Sequence, residues 1–432
     1  MDMQTITTVR QAAGRGAGTL ALIIVLMVAV ACSATASPTL VAQPSASASA
    51  SVPASASASN ASSVPLPTTS TGWSRVPAQA SVSGAQFLRV VWTGARFVAT
   101  ASALGADGGV FLDSVDGLTW TTQTTESADQ MPTALAAGSR GVVAIGSTDD
   151  HVTAWFSSDG LTWTVRKDAF QRPAGTTAQS GATRFTVKGV VATDDGWLAV
   201  GREDPVCQLD CGTAPVRALV WKSADGLTWT AIPDSAGFAG GGMDAVARTS
   251  DGYVAVGLGK ARAAVWTSAE GTTWTPVADK PLFHARPSLD PGSWVEMTGV
   301  AVDNGVVVAM GMDGPQGGGE DISVRAWWSL DDRTWSEGTS ETFPTGQVFS
   351  VTSTPAGFLG TGPSGADSCL GGIWESADGR TWSCVASDPS FAGFGPYAAG
   401  ASASAVVAVG LDANGPDSPQ GFPGAVWRKL LP

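Results

Sequence analysis

One heptapeptide of the general form Ser-x-Asp-Gly-x-Thr-Trp recurs six times along the 432 residues and restricts the possible folds more than any other feature. Each copy follows a short apolar segment and precedes a polar-apolar alternation, which predicts a β-hairpin with a three-residue loop such as Ala377-Asp378-Gly379. A hairpin repeated this often indicates a repeat architecture. The copies are SVDGLTW (114–120), SSDGLTW (157–163), SADGLTW (223–229), SAEGTTW (268–274), SLDDRTW (329–335) and SADGRTW (376–382).

The heptapeptide resembles the Asp-box, or BNR, repeat Ser-x-Asp-x-Gly-x-Thr-Trp with one residue fewer. Asp-boxes occur in sialidases, sortilin-type receptors and photosystem assembly factors. In those families the box forms the outer hairpin of a β-propeller blade and lies far from any active site. The resemblance therefore implies an all-β propeller in which the box residues are structural.

A second tryptophan precedes the box tryptophan by eight residues in five of the six copies, as Trp221 precedes Trp229. With a three-residue loop, the two tryptophans would face each other across the hairpin and pack in the core. One more tryptophan of this kind, Trp427, has no partner before the last residue, Pro432. The segment TGWSRV around Trp73 has the opposite character, since it looks like the second half of a box without a first half.

These two half-boxes predict a seven-bladed β-propeller over residues 72–432, closed by its N-terminal strand so that no sheet edge is left open. Seven apolar runs, each preceded by a turn, agree with this number as predicted inner strands. Tyr253 has the same place at the start of its run as Phe97 and Phe358 have in theirs. We therefore expect Tyr253 to pack rather than to take part in chemistry.

Residues 1–31 have the pattern of a signal peptide, because Arg10 and Arg15 precede an apolar run at 20–31 that is too short to span a membrane. The sequence AVAC at 29–32 resembles the lipobox of bacterial lipoproteins, with Ala29 where Leu is usual, and implies lipid attachment to Cys32. Ordinary cleavage after residue 31, which would give a secreted protein, is the alternative. We expect an extracytoplasmic envelope protein held at the membrane only by its lipid.

Residues 32–71 consist almost entirely of Ser, Ala, Pro and Thr, a composition that predicts a disordered tether. The formal net charge of -13 argues against nucleic acid and against anionic membrane surfaces, since both require basic patches.

Four cysteines follow Cys32, and their spacing favours two local disulfides, Cys207 with Cys211 and Cys369 with Cys384, as expected of an exported protein. Blades three and six, which contain these pairs, would lie on opposite sides of the ring. A metal site at Cys207 and Cys211 is the rival interpretation, but the chain has only two histidines and no further cysteine pair close by. We expect neither a metal nor another cofactor.

Function is expected in the long connections, which propeller topology places on one face around the mouth of the central channel. For any single side chain there, an ordinary solvated position is the simpler explanation. The candidate ligand-binding residues in these connections, or near the starts of inner strands, are Lys188, Glu203, Asp204, Asp244, His284, Trp294, Glu296, Glu320, Asp321 and Tyr397.

Two functions compete: a non-catalytic propeller that binds a protein, a glycan or an envelope component, and a glycoside hydrolase of sialidase type. Sialidases resemble one another in a three-Arg clamp, a Tyr-Glu nucleophile pair, an Asp acid and an Arg-Ile-Pro-like motif. This chain has no such tripeptide and only two tyrosines, and no arginine triad can be placed. Glu203, Asp204, Glu296 and Glu320 could still converge as a different carboxylate pair. We favour a monomeric binding protein whose catalytic residues, if any, are unknown.

Overall fold

The computed structural model describes residues 71–432 with several gaps, and the predicted signal peptide, Cys32 and all of the predicted tether but residue 71 lie outside the described residues. None of the helices among the described residues is long and apolar enough to cross a membrane. The gaps are 80–81, 83, 104–107, 124–129, 149–150, 172–182, 206–216, 234–236, 317–320, 341–342, 344, 365–368, 386–390, 392 and 413–422.

The described residues form seven sheets of antiparallel strands, which are the blades of a propeller. Blades 1 to 5 are built from β2–β5, β6–β9, β10–β13, β14–β17 and β18–β21, blade 6 from β23–β26 and blade 7 from β27–β29 with β1. In chain order the strands are β1 (Trp73–Arg75), β2 (Ala85–Trp92), β3 (Phe97–Ala103), β4 (Gly109–Ser114), β5 (Thr121–Gln123), β6 (Ala134–Gly138), β7 (Gly141–Thr148), β8 (His151–Ser157), β9 (Thr164–Arg166), β10 (Thr183–Ala192), β11 (Trp197–Pro205), β12 (Arg217–Ser223), β13 (Thr230–Ala231), β14 (Gly242–Thr249), β15 (Gly252–Leu258), β16 (Ala263–Ser268), β17 (Thr275–Pro276), β18 (Trp294–Asp303), β19 (Val306–Gly314), β20 (Ser323–Ser329), β21 (Trp335–Glu337), β22 (Thr339–Ser340), β23 (Ser350–Thr354), β24 (Gly357–Thr361), β25 (Ile373–Ser376), β26 (Thr381–Cys384), β27 (Phe394–Ala401), β28 (Ala405–Asp412) and β29 (Gly424–Leu430).

The ring closes as the half-boxes predict. Strand β1 pairs antiparallel with β29, with Trp73 opposite Lys429 and Arg75 opposite Trp427. The N-terminal strand is therefore the outermost strand of blade 7, and the prediction of seven blades is confirmed. Arg75 also forms an ion pair with Asp412 of β28, which ties this strand to the body of the blade.

One short strand was not predicted. Strand β22 pairs in parallel with β26, with Thr339 opposite Thr381, and makes blade 6 five-stranded. It covers the outer edge of that blade with backbone from the connection after blade 5. Covering an edge in this way blocks unwanted strand pairing.

The box hairpins differ from the prediction in their register. In the fifth copy Ser329 lies opposite Trp335, while Trp327 lies opposite Glu337. The loop between the paired positions thus has five residues rather than three, and the two tryptophans of a copy do not face each other. The prediction that they belong to the core is confirmed, since Trp327 is fully buried and Trp335 is 3% exposed.

Hydrogen bonds within the box explain why five loop residues still make a tight turn. In the third copy the Gly226 amide donates to Ser223 Oγ at 2.9 Å, and Asp225 Oδ1 accepts the amides of Leu227 and Thr228 at 2.8 and 2.7 Å. The Trp229 indole donates to the Gly226 carbonyl at 3.1 Å. The polar residues of the motif therefore serve the turn itself.

The box glycine also brings neighbouring blades together. Gly226 has a φ of 75°, and a Cβ there would lie 2.6 Å from Cγ2 of Val143 in blade 2. Gly379 approaches Val308 of blade 5 in the same way. Each of these boxes thus packs on the second strand of the preceding blade, where the apolar core also lies. The core cluster that contains Val143 also contains Trp197 of blade 3.

The seven apolar runs predicted as inner strands form the second strand of each blade, and the strand before each run lies closest to the channel. Tyr253 pairs with box residue Ser268, as Phe97 pairs with Ser114. Tyr253 packs against the core between blades 3 and 4, so its predicted packing role is confirmed.

The disulfide between Cys369 and Cys384 is present, with 5.6 Å between the two Cα atoms. It links the connection before β25 to the end of β26. Cys207 and Cys211 lie outside the described residues, so their pairing stays a prediction.

Candidate functional site at the channel mouth

The connections of the propeller emerge on two different faces. Because the strands of a blade alternate in direction, the box turns and the turns between first and second strands share one face, which we call the box face. All other connections lie on the opposite face, which we call the long-loop face. Most of these are long, but the connections at 149–150 and 259–262 have only two and four residues.

Bulges interrupt five of the seven innermost strands, at Leu88, Lys188, Asp244, Thr298 and Tyr397. A bulge inserts one unpaired residue and changes the direction of its side chain. Three of the five are candidates from the sequence. Asp244 and Tyr397 lie nearer to the long-loop end of their strands, so the structure places these two candidates near one mouth of the channel. Lys188 lies at the middle of β10, close enough to Arg202 and Asp244 for their charges to act on it.

The channel mouth contains a cluster of charged side chains from three successive blades. Arg202 Nη1 lies 3.1 Å from Asp244 Oδ1 and 3.2 Å from Glu296 Oε1, and Arg202 Nε lies 3.3 Å from Asp204 Oδ2. The guanidinium therefore joins blade 3 to blades 4 and 5. We call these four residues, together with Lys188, the Arg202 cluster.

The carboxyl groups of the cluster have unequal environments. Burial is the main reason that the pKa of Asp244 is raised to about 7; Glu296 adds to this increase, while Arg202 and Lys188 oppose it. Burial lowers the pKa of the Arg202 guanidinium, but Asp244, Glu296 and Asp204 together raise it by more. The net pKa is therefore above its ordinary value. Asp244 therefore keeps its proton to a much higher pH than an exposed carboxyl group does.

The side chain of Lys188 has a large exposed surface, yet enough protein atoms lie around its ammonium group to disfavour the charged form. Burial is the main reason that the pKa of Lys188 is lowered, and repulsion from Arg202 adds to it. Within the described part of the chain, Lys188 forms no ion pair. It is therefore a cation that faces the channel without a fixed partner.

Blades 6 and 7 contribute a stacked pair of aromatic side chains. Tyr397 stacks on Phe349 of blade 6, with ring centroids 5.1 Å apart and an angle of 22° between the planes. Burial raises the pKa of Tyr397, and the positive charge of Arg89 opposes this increase. A channel cavity of about 330 Å³ begins beside Arg89 and extends toward the box face.

Glu203 does not join the Arg202 cluster, although both its sequence neighbours do. It is 2% exposed and accepts a hydrogen bond from Arg217 Nε at 2.7 Å on the other side of β11. Adjacent residues of a strand point to opposite faces, which separates Glu203 from Asp204. The sequence left open whether Glu203 converges with the other carboxylates, and in the structure Glu203 pairs with Arg217 instead.

The remaining candidates lie away from the cluster. The Trp294 indole donates to the Pro315 carbonyl at 3.1 Å, and Asp321 is exposed. His284 Nε2 lies 3.0 Å from Asp279 Oδ1 beside a cavity of about 700 Å³ on the long-loop face. Glu320 falls outside the described residues. In the described part of the chain, no three His, Cys, Asp or Glu side chains are arranged to hold a metal ion.

Sequence reasoning missed Arg202, Arg89 and Phe349. Arg202 belongs to β11, in the sequence GRED where an apolar run ends. The sequence analysis selected its two acidic neighbours as candidates instead. A basic residue between glycine and two acids at the long-loop end of a strand was the available signal for Arg202. Phe349 gave no such signal, because aromatic residues occur throughout the cores of the blades.

No protein-family model and no curated protein sequence matches the chain. Solved structures match most of it. YCF48 bound to D1 peptide has 14% identity and a TM-score of 0.48, with 85% of this chain and 100% of that chain covered. Trypanosoma rangeli sialidase in complex with the inhibitor DANA has 13% identity and a TM-score of 0.42, with 82% and 57% covered. The GH74 xyloglucanase from Xanthomonas campestris has 14% identity and a TM-score of 0.46, with 82% and 55% covered. The chain spans little more than half the length of the sialidase and xyloglucanase chains.

Proposed function

We propose that the protein is a non-catalytic β-propeller that binds a protein or glycan partner at the channel mouth of its long-loop face. In this proposal the Arg202 cluster and the Tyr397–Phe349 stack form the recognition surface. Charged groups in fixed positions together with a partly exposed aromatic pair are typical of recognition surfaces. Lys188 supplies a cation for a partner, because its charge is not committed to an internal ion pair.

One observation favours binding over hydrolysis: the cluster's carboxylates surround a guanidinium. The two carboxyl groups of a glycoside hydrolase stand about 5–5.5 Å or 6.5–9.5 Å apart, with room for a sugar between them. Asp244 and Glu296 instead hydrogen bond to each other and both contact Arg202 Nη1. A substrate would have to displace Arg202 before it could lie between them.

Tyr397 supports the same conclusion. A sialidase-type nucleophile needs a carboxylate that accepts the proton of its tyrosine. The charged side chain that influences the pKa of Tyr397 is Arg89. A neighbouring guanidinium can donate a hydrogen bond but cannot serve as that base.

Charge reversal on the two faces tests where binding occurs. In the mature protein, Lys188→Glu should abolish retention of an envelope component that the unchanged protein retains. The matched control is Arg140→Glu, which reverses the charge of an exposed residue in the turn before β7 on the box face. This variant should not change retention. Equal loss with both variants would contradict binding at the channel mouth.

Hydrolysis is tested separately with sialosides and aryl glycosides. We expect no release of sugar from either. Asp244 carries the one observation that favours an enzyme, because a pKa of about 7 suits a general acid at neutral pH. Turnover that Asp244→Asn or Glu296→Gln abolishes would overturn the binding proposal and establish a hydrolase.

We further propose that Cys32 carries a lipid that holds the protein at the outer side of the membrane. The lipobox-like sequence AVAC supports this. Cys32→Ser should release the protein from the membrane fraction during cell fractionation. Continued membrane association of that variant would make the apolar run at 20–31 an uncleaved anchor instead.

A further inference from the structure

We propose that blade 5 carries a second binding site, which takes an organic carboxylate attached to an apolar body. The site is the cavity of about 700 Å³ between residues 279–287 and the side chains of Arg325 and Glu337, which we call the rim pocket. It lies on the long-loop face but shares no residue with the Arg202 cluster. The two sites can therefore succeed or fail independently in an experiment.

The loop that forms the rim pocket is held in place by the blade beneath it. Phe283 is 1% exposed and belongs to the core between blades 4 and 5. The Leu282 carbonyl accepts hydrogen bonds from the Trp327 indole at 2.9 Å and from Arg325 Nη2 at 3.2 Å, and the His284 carbonyl accepts one from Arg325 Nη1 at 2.7 Å. A pocket fixed in this way loses little entropy when a ligand binds.

The acidic groups around the rim pocket are already paired with basic side chains of the protein. Asp313 is fully buried and lies 2.9 Å from Arg286 Nε. Glu337 lies 2.6 Å from Arg325 Nη2, and Asp279 Oδ1 lies 3.5 Å from Arg262 Nη1. These contacts neutralise the carboxylates that would otherwise repel an anion.

Two cations retain donors for a ligand. Lys280 lines the pocket, and its side chain forms no ion pair or hydrogen bond among the described residues. Arg286 uses Nε for Asp313 and directs Nη2 to the Asp321 carbonyl at 3.4 Å, which leaves Nη1 on a side chain that is 38% exposed. An ammonium and a guanidinium nitrogen on one cavity form charge-assisted hydrogen bonds to a carboxylate.

The rest of the pocket wall is apolar and rigid. Pro281, Leu282, Ala285 and Pro287 line it, and two of these four are prolines. Its volume is within the range of about 300–1,000 Å³ that is common for small-molecule sites. The ligand class is therefore an aliphatic or aromatic acid, either free or as the C-terminal residue of a peptide.

Calorimetry on the mature protein tests this with matched pairs of probes. 4-Phenylbutyrate and its neutral amide represent the free acid, and a short peptide ending in phenylalanine, with a free or an amidated C-terminus, represents the peptide source. We expect at least one acid to bind about tenfold more tightly than its amide, and the better acid identifies the source. Equal binding of acid and amide, or no binding by any probe, would overturn the proposal.

A lysine substitution then locates the site. Lys280→Gln should weaken binding of the acid about fivefold and leave the fold intact, because Lys280 has no internal partner to lose. Lys260→Gln removes the same charge from an exposed position on the same face and should leave affinity unchanged. Acid binding that Lys280→Gln does not weaken would place the ligand elsewhere and contradict the assignment.

Discussion

The box face and the long-loop face use aspartate in opposite ways. Asp159 in a box accepts the amides of Thr162 and Leu161, and these hydrogen bonds lower its pKa. Asp244 at the channel mouth is buried beside Glu296, which raises its pKa to about 7. One carboxylate is stabilised locally by its own turn, while the other depends on side chains from two other blades.

This difference shows why the box hairpin can be repeated from blade to blade while the long-loop face is not. The box satisfies its own polar groups and packs its glycine on the preceding blade, so the same unit can be used around the ring. The long-loop face is not repeated, and its charged groups are therefore free to differ between blades. The residues that the blades share build the scaffold, and the residues that we propose to bind a partner differ from blade to blade.

The largest expected effect comes from removing the strand that closes the ring. A chain beginning at residue 81 lacks Trp73 and leaves β29 as an open edge, so it should lose cooperative thermal unfolding. A chain beginning at residue 68 should melt like the mature protein. Equal melting of the two in calorimetry would show that β1 does not close the ring.

A box glycine is the next most sensitive position. Gly226→Ala combines a φ of 75° with a Cβ that would lie 2.6 Å from Val143, and should lower the free energy of unfolding by about 4 kcal/mol. Gly305→Ala has a φ of 77° but no atom within 4 Å of the new Cβ, so it should cost only about 1 kcal/mol. Similar losses in denaturant titrations would mean that the box does not depend on close packing between blades.

The Cys369–Cys384 disulfide should have a somewhat smaller effect. The two cysteines are 15 residues apart, and removing the loop constraint with Cys384→Ser should lower the free energy of unfolding by about 3 kcal/mol. Unfolding in urea with and without a reductant measures this. The reductant should affect the variant much less than the unchanged protein, and an equal effect on both would indicate that another bond is responsible.

The smallest effect is the pH dependence caused by Asp244. Its native pKa of about 7 is above the ordinary value of 3.8, so the native state binds the proton more tightly than the unfolded state. The stabilising contribution is complete below about pH 4 and is lost as the pH rises through 7, with on the order of 1 kcal/mol lost between pH 6 and 8. Asp244→Asn should remove this slope in urea titrations at both pH values, and an unchanged slope would assign it to another group.

The fold could be predicted from the sequence because its signals are local and repeated. Each box carries its own turn chemistry, and Trp427 and Trp73 mark the two halves of the split blade. The register was harder to predict, because the two-residue difference in loop length depends on whether Ser329 pairs with Trp335. The parallel strand β22 could not be predicted, because a strand of two residues is too short to show an alternation of polar and apolar residues.

The site could be predicted only in part, because its contacts cross blade boundaries. Lys188, Asp204, Asp244 and Glu296 come from three blades and meet through Arg202. No sequence spacing relates residue 202 to residue 296. The alternation of side chains along β11 does separate Glu203 from Asp204, but this requires knowing which face of the strand meets the channel.

Hydrogen–deuterium exchange of the mature protein, with and without the retained envelope component, tests the division between the two faces most directly. We expect new protection at the long-loop ends of β10, β14 and β18, with no change in the boxes at 157–163 and 376–382. Protection of the boxes without protection of these strand ends would contradict the account, because it would place recognition on the repeated scaffold.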